Sequence, residues 1–510
     1  MENEKPYNKK IRLISTMVLT CMAFAVNYLI SLVLVPYIAK YLGADANGYV
    51  LMANNFASYA AILTTALNSY AARYISVEYH KGNLENANRY YTSVFYGDLV
   101  LVAGIAVIYG IITFFLDSIL KIPENLVMDT KILFLLVFVN FAFLTIGTAF
   151  TAVAQIKNHL DLIGLFKGAS GLGQVIVMVI LFRIFGANLW IIGLGYAAAG
   201  LIIFVTNLWM TNRYTPDLVV KKTYFSLGAV KELVVNGVWN SINSLGNTLN
   251  SGLDLIVCNL MLSNIDQGNL SYAKTIGVIF ATLFALVSYP FQPLFLKHYS
   301  DGDMEGLIKE FKFSMKSVGM ISEIAFAGFI ALGMTYLKAW IPMADHGIVY
   351  ILCILTIICC LGEGVVSPLY YAYTLKVKNK IPCIVTVTGG LLNVLGMYLL
   401  IRFTGIGVYA IVITTAVIST VTNLVFHPIY AAKCLGIKVS TFYPEIIKHL
   451  FMCGLLTAVF YGISFVINPS GWVMLIVCAG LYAVIGIIIQ IFILFGKDDR
   501  KKIIGKVLKK

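Results

Sequence analysis

Fourteen apolar windows, most of them twenty residues or longer and each bounded by charged or turn residues, succeed one another along this 510-residue chain. They fall near 13–39, 48–74, 90–116, 130–155, 162–182, 188–211, 232–262, 270–296, 313–337, 347–374, 382–401, 406–430, 449–467 and 472–495. A helix of about 20 residues crosses a hydrocarbon layer of about 30 Å. The pattern therefore predicts an all-α polytopic membrane protein with about fourteen transmembrane helices. Composition agrees: 59% of residues are hydrophobic and 12% charged, against about 25% charged in soluble proteins. Secreted, disordered and nucleic-acid-binding classes are excluded.

The net charge of +13 matters less than where the charges sit. With the N-terminus placed inside, alternate loops hold thirty Lys and Arg, including Lys5, Lys9, Lys10, Lys376, Lys378, Lys380 and a tail with Lys497, Arg500, Lys501 and Lys502. The opposite loops hold six: Lys40, Lys121, Lys131, Arg183, Lys338 and Arg402. Basic residues accumulate in short cytoplasmic loops, so both termini are expected to be cytoplasmic. The first apolar run is longer than a signal-peptide core and is expected to stay as a span. Nine cysteines, with no CxxC pair, argue against a disulfide framework or zinc site. No cofactor is implied.

The chain also repeats itself. Leu181 to Gly186 matches Leu400 to Gly405, Thr206-Asn207-Leu208 matches Thr422-Asn423-Leu424, and Lys157-Asn158 matches Lys378-Asn379. Every offset lies between 216 and 221 residues. Six helices separate the copies, so the second re-enters from the same face and the repeats are parallel. The reading is a six-helix bundle over 1–215, a cytoplasmic linker over 216–231, a second six-helix bundle over 232–435, and an added helix pair with basic tail over 436–510. The bundles are related by a pseudo-two-fold axis along the membrane normal, which predicts a central cavity.

Polar residues in the seventh span are the most informative. Asn236, Asn240, Asn243, Asn247, Asn250 and Asp254 are spaced 4, 3, 4, 3, 4, with Ser244 and Ser251 beside them. On a helix they form one stripe, which lipid does not solvate. It is expected either to line a wet cavity or to hydrogen-bond across a packed helix interface. The first and second spans carry Asn27, Asn54, Asn55, Ser58, Thr65 and Asn68, open to the same two readings.

Few ionisable residues lie inside spans, where a charge costs at least about 2.5 kcal/mol. Asp254 and Lys274 could pair. Glu363 lies between Gly362 and Gly364, five residues before Pro368, and together with Asp254 is a candidate for coupling to H+ or Na+. Asp98 and Glu323 read as solvated or paired. Arg73, with Arg12 and Lys167, is a candidate for an anionic head group or an ordinary basic rim. Asp301-Gly302-Asp303 reads as a solvated turn. There is no phosphate-binding loop, no His deep in a span and no nucleophile–base spacing, so an enzyme is not expected.

Val35-Pro36-Tyr37-Ile38-Ala39-Lys40-Tyr41-Leu42-Gly43 followed by Gly48-Tyr49, Leu253-Asp254-Leu255-Ile256 followed by Leu270-Ser271-Tyr272-Ala273-Lys274, and Ser367-Pro368-Leu369 leading to Lys376 resemble bacterial polysaccharide-type flippases. The resemblance covers most of residues 10–435. It departs at the second-half turn, where Asn269 interrupts the usual Gly-Leu-Tyr. That family belongs to the multidrug/oligosaccharidyl-lipid/polysaccharide exporter superfamily. The resemblance implies a flippase moving undecaprenyl-pyrophosphate-linked oligosaccharide across the bacterial cytoplasmic membrane, driven by an ion or the membrane potential. Membrane lipids and polysaccharide-assembly proteins are the implied partners. The last two helices would hold a lipid tail, as in related lipid II flippases. Candidate cavity residues are Asn27, Asn54, Asn68, Arg73, Asn240, Asn243, Asn247, Asn250 and Lys274. The alternatives are a cation-coupled multidrug exporter and, behind it, a membrane polysaccharide polymerase or ligase.

Overall fold

The computed structural model describes residues 25–496 apart from 27, 44, 158 and 377, and every regular element among the described residues is helical. In chain order the helices used below are α1 (Tyr28–Tyr41), α2 (Ala46–Asn68), α3 (Ala71–His80), α4 (Leu84–Phe114), α5 (Val127–Ile146), α6 (Leu160–Phe185), α7 (Leu189–Tyr214), α8 (Leu227–Asn247), α9 (Asp254–Met261) and α10 (Asn264–Ser288). There follow α11 (Met304–Trp340), α12 (His346–Val366), α13 (Lys380–Thr404), α14 (Tyr409–Val421), α15 (Tyr443–Ile467) and α16 (Gly471–Leu494).

Eleven helices among the described residues are long and apolar enough to cross a membrane. Of the other three expected spans, 232–262 corresponds to α8 and α9 together and 270–296 to most of α10, while 13–39 overlaps α1 and its residues 13–24 and 27 lie outside the described residues. Length and apolarity thus establish eleven spans among the described residues. The outward apolar surface fits a hydrocarbon environment: Phe465 and Val466 on α15 are each 83% exposed, which water would oppose.

Helix ends follow local chemistry. Where the chain enters a helix from a polar loop, Asn83, Asp303 and Asp345 accept from the backbone N–H groups of Asn86, Gly306 and Ile348 at 3.1, 2.8 and 3.1 Å. These side chains satisfy donors that a first helical turn leaves unpaired. Asp303, in the turn expected to be solvated, is one of these caps, and its carboxyl is held below the usual range first by the Gly306 N–H and then by His298. α13 stops at Gly405, whose φ of +66° is a left-handed cap that glycine adopts without strain.

Contacts divide the chain into two compact units, between Gly268 and Asn269. This is a partition by contact. The boundary expected at 216–231 comes from sequence repetition and lies earlier in the chain.

In the first unit α5 packs along α7, α6 along α7, and α8 along α2. Glycines set these close approaches. A Cβ at Gly200 of α7 would lie 2.5 Å from Asn140 Oδ1, and one at Gly193 would lie 2.8 Å from Leu136 Cβ. Without an aqueous drive to expel apolar surface, such close backbone packing holds membrane helices together. A second cluster, with Leu67, Ile75, Tyr91, Val94, Phe150 and Leu233, joins α2, α3, α4 and α8.

In the second unit α11 is the central post, packed by α12, α15 and α16. The C-terminal pair is seated there by Ala327 and Leu332 of α11 with Met452, Leu456, Phe460 and Tyr482. The Phe460 and Tyr482 rings stack at 4.5 Å, and the Tyr482 hydroxyl donates to Phe460 O at 3.0 Å.

Candidate functional site

α8 carries two different faces. Its packing seam is small: a Cβ at Gly237 would overlap the Ala66 carbonyl of α2, and the Ser241 hydroxyl donates to Ile62 O at 2.8 Å. Asn236 and Asn240 each precede a seam residue by one position, about 100° around the helix. The amide edge therefore lies beside the helix–helix contact and outside it. Asn236 is exposed and its amide donates to Tyr74 Oη and to Glu232 O, both at 2.9 Å. Asn240 and Asn243 are half-buried and Asn247 is exposed. None of these three side chains hydrogen-bonds to another described residue.

The regular spacing of the stripe breaks at its outer end. Residues Thr248–Gly252 form a π-turn, which fits one extra residue into the turn and releases a backbone carbonyl. That carbonyl, Gly252 O, accepts from Asn55 Nδ2 at 3.0 Å and from the Tyr59 hydroxyl at 2.6 Å, both on α2. Asn250 lies within the π-turn, half-buried. Asp254, beyond it, opens α9 and is fully buried. A single continuous α-helical stripe is therefore not what the chain forms. Four amides share one edge, and the last two residues of the series follow a different register.

The remaining first-unit residues have varied surroundings. Asn54 is half-buried, its amide donating back to Val50 O at 2.9 Å. The Asn68 amide donates to Asp98 Oδ1 at 2.9 Å, and Asp98 is fully buried on α4. Asp98 is thus paired with a neutral amide. Arg73 is exposed on α3. Asn27 and Arg12 lie outside the described residues.

In the second unit Lys274 is half-buried on α10, and a Cβ at Gly277, one turn on, would meet Thr356 of α12 at 2.7 Å. Cys360 of α12 lies within electrostatic reach of both Lys274 and Glu363. The Glu363 side chain is exposed, without a hydrogen bond or ion pair to another described residue.

Two histidines that the sequence reading did not single out are buried. His427 follows a second π-turn, Thr422–Phe426, and packs against Tyr370 at 4.4 Å between ring centres. The Tyr370 hydroxyl donates to Asn423 Oδ1 at 2.7 Å. His449 of α15, 1% exposed, is paired through Nδ1 with Oε1 of the fully buried Glu323 of α11. Gly319 leaves room for the ring, since a Cβ there would overlap it. These partners are far apart in sequence, so no local pattern flags them.

A family model described as "Polysaccharide biosynthesis protein" matches residues 14–295, more than half of the chain. A Bacillus subtilis (strain 168) protein, "Uncharacterized membrane protein EpsK", is 26% identical over 491 residues, which is 96% of this chain and 96% of that protein. Among solved structures, an inward-facing multidrug resistance MATE family transporter of the MOP superfamily aligns with a TM-score of 0.64 at 13% identity, over 83% of this chain and 98% of its own. "Lipid II flippase MurJ, inward closed conformation" aligns with a TM-score of 0.60 at 13% identity, over 94% of this chain and 98% of its own. At these identities the structural likeness is one of fold.

Proposed function

Because this chain belongs to the polysaccharide biosynthesis protein family, we propose that it is a flippase that carries undecaprenyl-pyrophosphate-linked oligosaccharide across the bacterial cytoplasmic membrane by alternating access. The observation that carries the reading is the free amide edge of α8. Asn240, Asn243 and Asn247 leave donors and acceptors unused among the described residues, and on a helix in the membrane such amides facing lipid would each cost up to several kcal/mol. Sugar hydroxyls and water supply what they lack. Tight interhelical glue would have these amides paired across a seam, whereas the seam of α8 runs along Gly237 and Ser241.

The energetics point the same way. A head group rich in hydroxyls crosses hydrocarbon very slowly because each hydroxyl must lose its water, while the prenyl tail gains about 0.8 kcal/mol per buried CH2 in lipid. A transporter has to offer a polar path to the head and leave the tail outside. With the cell interior negative, moving about two pyrophosphate charges outward gains roughly 4–5 kcal/mol per 100 mV. An inward H+ or Na+ at Glu363 or Asp254 adds to that drive. Arg73, exposed at the inner end, suits the pyrophosphate because its planar fork takes two oxygens. Asn54, Asn68, Asn250 and Lys274 complete the proposed cavity set, and both termini are placed in the cytoplasm.

Cysteine accessibility tests this. In a cysteine-free background, Asn243→Cys and Asn247→Cys are expected to react with a membrane-impermeant thiol reagent, and Leu233→Cys and Leu255→Cys, both buried, are not. Lipid-linked oligosaccharide is expected to protect the first pair. Absence of labelling at Asn243 and Asn247 sinks the polar-path reading. Protection by hydrophobic cations and not by glycolipid would identify a drug exporter instead.

A further inference from the structure

The first unit contains a second feature that the transport reading does not use. α1 and α6 flank a cavity of about 530 Å3, lined on α1 by Leu29, Val33 and Tyr37 and on α6 by Leu172, Val179 and Arg183. Apart from Arg183 and the Tyr37 hydroxyl, these six carry no polar side-chain atom. The cleft opens sideways, with Val33 70%, Leu172 54% and Val179 53% exposed.

Both ends are defined. At one, Val26, itself part of the lining, approaches α6, where a Cβ at Gly171 would stand 3.1 Å from its Cγ1. At the other, the Tyr37 ring packs on Phe182 at 4.7 Å and on Tyr41 at 4.8 Å. Beside this aromatic end sits Arg183, exposed and without a hydrogen bond or ion pair to another described residue. Lys40, over the Tyr41 ring at 5.1 Å, adds a second cation at the same end of α1. Asp45, in the turn after α1, is the nearest acid in sequence.

Dimensions identify the occupant. From Leu172 to Arg183 α6 rises about 16 Å at 1.5 Å per residue, close to half of a hydrocarbon core about 30 Å thick. The cleft thus runs from one interface to the midplane, the reach of a single acyl chain. Aromatic rings with Lys or Arg mark the interface level, and a phosphodiester there meets an unused guanidinium fork.

We propose that this cleft is a binding site for an anionic glycerophospholipid, with one acyl chain between α1 and α6 and the phosphate at Arg183. Two cations and no carboxylate contact at the mouth select a net negative head group over a zwitterionic one.

The test uses the full chain in phosphatidylcholine nanodiscs carrying traces of phosphatidylglycerol or phosphatidylcholine with a photoactivatable group midway along one acyl chain. Crosslinks from phosphatidylglycerol are expected within residues 172–182 and to exceed those from phosphatidylcholine. Arg183→Gln, a substitution at an exposed site, is expected to lower phosphatidylglycerol capture about fivefold, the effect of one basic residue beside an anionic lipid. It should leave phosphatidylcholine capture unchanged. Val179→Trp, which fills the cleft, should abolish both without loss of thermal stability. Equal capture of the two lipids, indifference to Arg183→Gln, crosslinks elsewhere, or displacement by polyprenyl phosphate in preference to phosphatidylglycerol would overturn the proposal.

Discussion

His449→Leu is expected to destabilise the second unit by about 3–5 kcal/mol, the cost of leaving one member of a buried ion pair without its partner. The structure supports the upper class of effect. Glu323 is 0% exposed and His449 1% exposed, and Glu323 Oε2 and His449 Nε2 have no hydrogen-bond partner among the described residues. Each group therefore depends on the other for the solvation it lost on burial. Replacing both, with Glu323→Met and His449→Leu, removes the two buried polar groups together and puts apolar volume in their place. That double variant should return to within about 1 kcal/mol of the native protein. Reversible unfolding in mixed detergent micelles, run as a double-mutant cycle, gives the coupling directly. A neutral hydrogen bond between membrane helices averages only about 0.6 kcal/mol. A single-variant loss of that size, with no recovery in the double variant, would refute an ionic lock between α11 and the C-terminal pair.

Three further outcomes follow from the first unit. Gly237→Leu forces α8 away from Ala66 and should cost at least the 1–3 kcal/mol of ordinary overpacking, read as a lowered melting temperature, with Asn243→Leu near neutral as the comparison. Asn55→Leu or Tyr59→Phe alone should cost less than about 1 kcal/mol, since the other donor still reaches Gly252 O. The pair together should cost about 1–3 kcal/mol because the carbonyl is then orphaned, and simple additivity in a thermal cycle would contradict that. Asn68→Leu strips Asp98 of its amide donor and should destabilise by about 1–3 kcal/mol, with Asp98→Asn restoring most of the loss in the same assay.

Much of this fold can be read in the sequence because burial in lipid writes itself into composition. Runs such as 188–211 and 472–495 carry almost no charge, and helices stand there as α7 and α16. The all-helical class follows from the same signal, whereas the family rests on motif residues such as those of Val35–Gly43. The amide series on α8 is legible up to Asn247 because a fixed spacing implies one face only while the backbone stays α-helical. It ceases to be legible at Thr248, since an inserted residue in a turn leaves no compositional mark. Gly252 and the donors Asn55 and Tyr59 are the trace it leaves, 197 and 193 residues apart in pairing. Glu323 and His449, 126 residues apart, are illegible for a related reason: pairing across helices is decided by which faces meet, and single-chain patterning does not encode that. Asn68 illustrates the limit on roles. Its spacing with Asn54 suggests a shared wall, yet its amide is occupied by Asp98.

The surplus residue between Thr248 and Gly252 acts as a phase setter for everything downstream. Straightening those five residues to 3.6 per turn without removing one would swing α9 by about 100°. Asp254 would leave its sealed seat, and Asn259 would part from the Lys121 backbone that it now clasps on both sides, accepting at 2.9 Å and donating at 3.0 Å. Deletion scanning across this helix should accordingly find its most forgiving stretch at the π-turn, where losing one residue leaves an ordinary α-turn and keeps α9 in place, while a deletion on either side rotates it.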